Sequence, residues 1–200
     1  MQTTDKTVQL SDGRDLIVRR PDVDRDLHNL VDFFTRLPPE SRRHLRYDVT
    51  DVEAVRQRLT QVDSENHWRM IAGSEGRIVG DATLDRRREA WANHVAEMRG
   101  VIDPEYVRLG VGPVLFGELL ETASAAGIER LVCEVLSQDA ERIDMMEAIG
   151  FAPEATLKNY ARDMSGRLQD LIIMTNDLSD AWNRLLELLE ELDNRNSRNA

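Results

Sequence analysis

Glu97, Gly110 and Gly112 are the residues whose types and spacing could do chemistry together. Glu97 is a carboxylate inside Val95 to Ile102, a run that reads as a strand. Asp103-Pro104 ends that run, because proline has no N–H to give and biases the residue before it. Gly110 and Gly112 follow, just before an amphipathic helix opened by Pro113. A helix N-terminus presents unpaired N–H groups and a positive dipole end, which suit a phosphate. Glycines let the backbone come close to that anion and take positive φ. The stretch therefore reads as a seat for a pyrophosphate-bearing cofactor, with Glu97 as a general base beside its reactive end.

Composition narrows the setting. Two hundred residues with 41% apolar side chains can bury one ordinary core. No apolar run approaches the length of a membrane span, and Met1 to Lys6 lacks the pattern of a signal peptide. The single cysteine, Cys133, cannot form an internal disulfide, which points to the cytoplasm. A net charge of −11 argues against nucleic acid as a partner and favours a basic protein surface or a cationic amine. His28, His44, His67 and His94 show no ligand spacing, so no metal is expected.

The elements that must position these residues follow from pattern. Thr7 to Leu10 and Asp15 to Arg19 are hairpin arms around Ser11-Asp12-Gly13. Asp22 or Asp24 caps a helix with Leu27, Leu30, Val31 and Phe34 on one side, broken by Leu37-Pro38-Pro39. A short basic helical piece spans Glu40 to Arg46, and a second helix, Asp51 to Gln61, sets Val52, Val55 and Leu59 inward. His67 to Gly73 and Arg77 to Arg86 form the next hairpin. After Val95 to Ile102 and the glycine loop, a helix from Pro113 to Ala126 is closed by Gly127. Leu131 to Leu136 reads as a buried strand, with Cys133 a small core residue between Leu131 and Val135. A helix from Gln138 to Ile149 is capped by Gly150. Phe151 to Ala161 and Gln169 to Thr175 are strands around a turn at Met164-Ser165-Gly166. Ser179 to Leu192 is an amphipathic helix whose leucines permit a homodimer contact, and Asp193 to Ala200 reads as a frayed polar tail. The expected fold is a mixed α/β (α+β) domain. Its sheet is mostly antiparallel, and the βαβ step through 95–136 adds a parallel pair.

This order, with Gly110-Val111-Gly112 and Gly150-Phe151 in place, resembles the GNAT superfamily of acyl-CoA N-acyltransferases over about Thr7 to Asp177. The superfamily loop Gln/Arg-x-x-Gly-x-Gly/Ala reads here Val107-Arg108-Leu109-Gly110-Val111-Gly112. Both glycines match; Val107 departs, with Arg108 one place later. Further segments look like bacterial Pat-type protein lysine acetyltransferases: Ser11-Asp12-Gly13 with Arg20-Pro21, Leu37 to Arg46, Glu134-Val135-Leu136, and Gly166 to Leu171. That group's base is a glutamate thirteen residues before the first loop glycine, the spacing of Glu97 and Gly110.

The resemblance implies a GNAT-like domain over 1–178 with a C-terminal helix and tail over 179–200. It implies transfer of an acetyl group from acetyl-CoA to a primary amine, a protein lysine first and a small-molecule amine second. A coenzyme A-binding sensor of weak activity is the rival from another class. Glu97 would take the amine's proton, its basicity helped by partial burial. Main-chain groups of Gly100, Val101 and Ile102 would pair with the pantetheine arm and include the oxyanion donor. Val107, Arg108, Leu109, Gly110, Val111, Gly112 and Pro113 would hold the pyrophosphate, and Asp139 stands where a cofactor-contacting asparagine often sits. Met146 occupies the place of the superfamily's general-acid tyrosine. Glu134 could be a second carboxylate in the acceptor groove or a paired structural one.

Overall fold

The computed structural model describes residues 5–42, 48–62, 65–162 and 166–198. The basic piece at 43–46 and two residues of the 164–166 turn lie outside these. One sheet organises the chain. Its strands are β1 (Lys6–Gln9), β2 (Asp15–Arg19), β3 (His67–Ser74), β4 (Arg77–Arg86), β5 (Val95–Ile102), β6 (Arg130–Leu136), β7 (Ala152–Arg162) and β8 (Leu168–Asp177). Their order is β1-β2-β3-β4-β5-β6-β8-β7, and every pair is antiparallel except β5 with β6. The fold is therefore the mixed, mostly antiparallel α/β sheet that the sequence pattern implies.

Two layers of helix cover the sheet. On one face lie α1 (Val23–Arg36), which buries Leu27, Leu30, Phe33 and Phe34, and α3 (Val52–Thr60), which buries Val55 and Leu59. The short α2 (Pro39–Arg42) connects toward them. The side-chain carboxylates of Asp22 and Asp51 accept N–H groups at the first turns of α1 and α3. Val52 is exposed rather than inward: it shares the face of Val55 and Leu59 but stands at the first position of α3, at the open end of that stripe. On the other face, α4 (Val111–Ala125), α5 (Ala140–Ala148) and α6 (Leu178–Arg198) share a second core. Each side chain buried there contributes about 1.5–3 kcal/mol.

Among the bounds that differ from the sequence reading, those of α4 and α6 have clear physical causes. The glycine-loop helix begins at Val111, two residues before Pro113, because Gly110 at φ 102° turns the chain directly into it. Gly112 is thus part of the first turn. The C-terminal helix runs on to Arg198, through polar residues read as tail. Such residues disfavour burial more than they disfavour helix.

The position of α4 is set by two close approaches. A Cβ on Gly80 of β4 would lie 2.8 Å from Leu115 Cδ1 and 3.3 Å from Val111 Cγ1. A Cβ on Gly117 would lie 3.2 Å from Leu185 of α6. Glycine at both places lets α4 lie flat between sheet and α6, and so fixes where its N-terminus points.

Candidate active site

The loop between β5 and α4 is built from main-chain bonds that leave a particular set of N–H groups over. Asp103 N–H donates to Val79 O at 2.8 Å, which pins the strand exit. The Asp103 carboxylate accepts from Glu105 N–H and starts a short turn of helix over Pro104–Tyr106. Val107 N–H is spent on Pro104 O, and Leu109 N–H on Tyr106 O. Pro113 has no N–H. Among the described residues no acceptor meets the N–H groups of Arg108, Gly110, Val111 or Gly112. Arg108 holds φ 69° and Gly110 φ 102° within this open loop. Successive N–H groups beside a left-handed residue, opening onto a helix N-terminus, form an anion-binding concavity. No side chain fills it at Gly110, where an added Cβ would meet nothing within 4 Å.

Tyr106 supports the loop from beneath. It is fully buried, its hydroxyl donates to Glu75 at 3.0 Å, and the Arg14 guanidinium lies 4.1 Å from its ring centre. Hydrogen bonds from Tyr106 and then Arg14 hold the Glu75 carboxyl below the usual carboxylate range. Ser11 N–H donates to Leu109 O at 3.2 Å. The tips of both N-terminal hairpins therefore clamp the loop. The sequence marks Ser11-Asp12-Gly13 as a turn and a Pat-like segment but gives no sign that it clamps this loop or that Tyr106 supports it, because contacts between residues so far apart in the chain leave no local signal.

Beside the loop, β5 and β6 part company. Their parallel pairing covers Val95, Ala96 and Glu97 against Arg130, Leu131 and Val132 and stops there. From Met98 onward β5 pairs only with β4, leaving a fork. Asp103 N–H faces β4, whereas Gly100 O accepts from Arg142 Nη2 at 3.0 Å across the fork. Strand alternation then turns the main chains of Met98, Gly100 and Ile102 into the fork. It turns that of Val101 toward β4, and the Val101 side chain is buried in the α1–α3 core. Asp139 caps α5, accepting from Arg142 N–H at 3.2 Å.

Glu97 lies at the base of the fork, on the face toward α1 and α3, and is buried. Both of its oxygens are held by Arg99, at 3.0 and 2.7 Å. Arg99 also donates to Asp85 at 2.6 Å, Asp85 meets His67 Nδ1 at 2.5 Å, and Arg88 meets His67 Nε2 at 3.0 Å. A guanidinium can only donate, so Nε2 is the acceptor and Nδ1–H donates to Asp85. Burial works against the Arg99 charge, but the bond to Glu97 and the pull of Glu97, Asp85 and Glu134 hold it above its ordinary range. Glu97, Arg99, Asp85 and His67 come from three strands in register, His67 opposite Asp85 and Asp85 opposite Glu97. Glu134 shares this sheet face; Cys133 points into the opposite core and is buried. Met146 is buried in that same core. Among the described residues no group of acidic, histidine or cysteine side chains is arranged to hold a metal ion.

An anion seat, an unpaired strand edge leading from it, and a buried carboxylate at the far end fit a long phosphorylated cofactor arm on one side and an amine on the other. Comparison with known proteins agrees. Residues 27–151 match the Acetyltransferase (GNAT) family. The chain belongs to that family. It is 27% identical over 131 residues to acetyltransferase Pat of Mycolicibacterium smegmatis, a match covering 64% of this chain and 38% of that protein. It is 33% identical over 78 residues to the ribosomal protein bS18-alanine N-acetyltransferase of Escherichia coli, covering 39% and 52%. A protein of Salmonella typhimurium solved with its cofactor acetyl-CoA has the same fold, with TM-score 0.67, 18% identity, and 82% and 94% of the two chains covered. The matches thus cover about half or less of these curated relatives' lengths. Enzymes of the GNAT family are acyl-CoA-dependent N-acyltransferases, with acetyl-CoA as donor.

Proposed function

We propose that this chain transfers the acetyl group of acetyl-CoA to a primary amine by direct attack, and that the amine is a protein lysine. The observation that carries this reading is the fork. It joins four open N–H groups at the α4 N-terminus to buried Glu97 through the free edge of β5. The N–H groups of Arg108, Gly110, Val111 and Gly112 hold the pyrophosphate. The fork-facing main chains of Gly100 and Ile102 align the arm, and one N–H among Met98, Gly100 and Ile102 polarises the carbonyl. Glu97 takes the proton that the attacking amine loses. Asp139 serves the site by capping α5.

A lysine acceptor is supported by the net charge of −11 and by the Pat-like segments. A cytoplasmic location fits the composition, and among the described residues no helix is long and apolar enough to cross a membrane. Leu186 and Leu189, exposed on α6, suit a homodimer contact. The experiment is acetyl transfer measured side by side on lysine-bearing protein substrates, an N-terminal alanine peptide and free amino acids. Lysine-bearing proteins are expected to give the highest kcat/KM; a preference for the alanine peptide or free amino acids would reject the lysine acceptor. One observation favours a coenzyme A-binding sensor instead: both Glu97 oxygens are already taken by Arg99. Tight acetyl-CoA binding without transfer to any amine would decide for it.

A further inference from the structure

Displacing a thioester with an amine creates a second charge, besides the proton that Glu97 takes up. The amine nitrogen bonds to the acyl carbon, the carbon–sulfur bond breaks, and its electron pair goes to sulfur. The proton leaves the nitrogen for Glu97. Sulfur departs as an anion, and within this step it needs a cation or a donor. Met146, on α5, supplies neither and is sealed in the core.

One helical turn earlier on the same helix stands Arg142. Residues four apart share a helix face, so Arg142 faces the way Met146 does, but at the open end of the helix. Its backbone is fixed by the Asp139 cap. Its guanidinium spans the fork from the α5 side and donates to Gly100 O at 3.0 Å. Its Nε is buried and has no hydrogen-bond partner among the described residues. Such a donor is costly unless something arrives to accept it. Arg99, the cation on the other face, is committed to Glu97 and Asp85. We propose that Arg142 is a catalytic residue that receives the departing thiolate at the fork, opposite Glu97. This rests on the acetyl-CoA reading above. The position is consistent with Gly100 doing two things: its N–H faces the acyl group while its carbonyl anchors the cation beside the sulfur. Arg142 also lies close to the Cys133 thiol. Burial pushes the Cys133 thiol up, and the Arg142 guanidinium pulls against that shift.

The test pairs calorimetric binding of coenzyme A with the ultraviolet absorbance of its thiolate as pH is raised, on wild type, R142M and R142K, alongside turnover. In wild type the bound thiol ionises below the ordinary range of a free thiol, about 8.5. In R142M binding stays within about 3-fold, the bound thiol ionises at least about one unit higher, and kcat falls about 10- to 100-fold. R142K recovers part of both. Unchanged thiol ionisation or unchanged kcat in R142M would overturn the assignment. So would tighter binding with faster turnover, which would make Arg142 an obstruction. Should R142M fail to fold, R142Q carries the same expectations. Wild type that does not bind coenzyme A at all would overturn the acetyl-CoA reading and this inference with it.

Discussion

Replacing Arg99 by methionine isolates the charge balance on which the Glu97 site depends. Arg99 donates to both Glu97 and Asp85, and those two carboxylates sit directly opposite each other on β5 and β4. Directly opposed side chains on antiparallel strands lie about 5 Å apart at Cβ. At an effective dielectric near 20, two carboxylates at that separation repel by about 3 kcal/mol. The Glu97 side chain is only 6% exposed and that of Asp85 19%, so solvent screens them poorly. The expected loss in unfolding free energy is therefore about 3 kcal/mol at pH 8, in the lower part of the range for breaking a buried pair. The sign with pH follows from linkage. Without Arg99 the folded carboxylate pair binds a proton more readily than the unfolded chain does, so the variant regains stability as pH falls. Urea unfolding of wild type and R99M at pH 8 and pH 5 should show the gap narrowing to about 1 kcal/mol. R99M with Asp85→Asn added should narrow it at pH 8 as well. A gap that is the same at both pH values, or absent, would refute the claim that Arg99 neutralises this pair.

Further expectations follow from the same geometry. Gly110→Ala forces a side chain into φ 102°, which costs about 1–2 kcal/mol, so coenzyme A affinity should fall about 5- to 30-fold by calorimetry with little change in fold by circular dichroism. Asp26 is fully buried against Arg19, at 2.6 and 2.7 Å. Desolvation pushes its carboxyl up, but Arg19 and the Asp22 N–H outweigh that and hold it below the usual range. A lowered folded value gives stability that is present above the unfolded carboxylate range near 3.9 and lost as pH falls. The stability lead of wild type over Asp26→Asn should therefore be largest at neutral pH and shrink below about pH 4 in denaturant titrations. Tyr106→Phe removes the bond to Glu75 and should lower unfolding free energy by about 1 kcal/mol and weaken coenzyme A binding modestly.

The parts of this protein that were legible in its sequence are those written locally. Ser11-Asp12-Gly13 and Glu75-Gly76 mark hairpins because only particular residues make tight turns, and β4 and β5 have the bounds that their pattern implies. The glycine loop was legible for the same reason, although Pro113 drew the helix start two residues late. What could not be read is set by register. That His67, Asp85 and Glu97 stand in one row across β3, β4 and β5 depends on strand pairing, and no spacing in the chain encodes it. The fork is likewise a place where pairing stops, at Glu97 with Val132. Arg142 reads in sequence as one polar residue of an amphipathic helix. Its reach to Gly100 is visible only once α5 lies on the sheet.

The most direct test of the account is Glu97→Gln, with acetyl-CoA binding and acetyl transfer measured on the same preparation. The amide keeps the shape of the side chain and removes its ability to accept the proton, while the phosphate seat and the fork are untouched. The account predicts acetyl-CoA affinity within about 3-fold of wild type and transfer reduced about 100- to 10,000-fold. Transfer at the wild-type rate would contradict it.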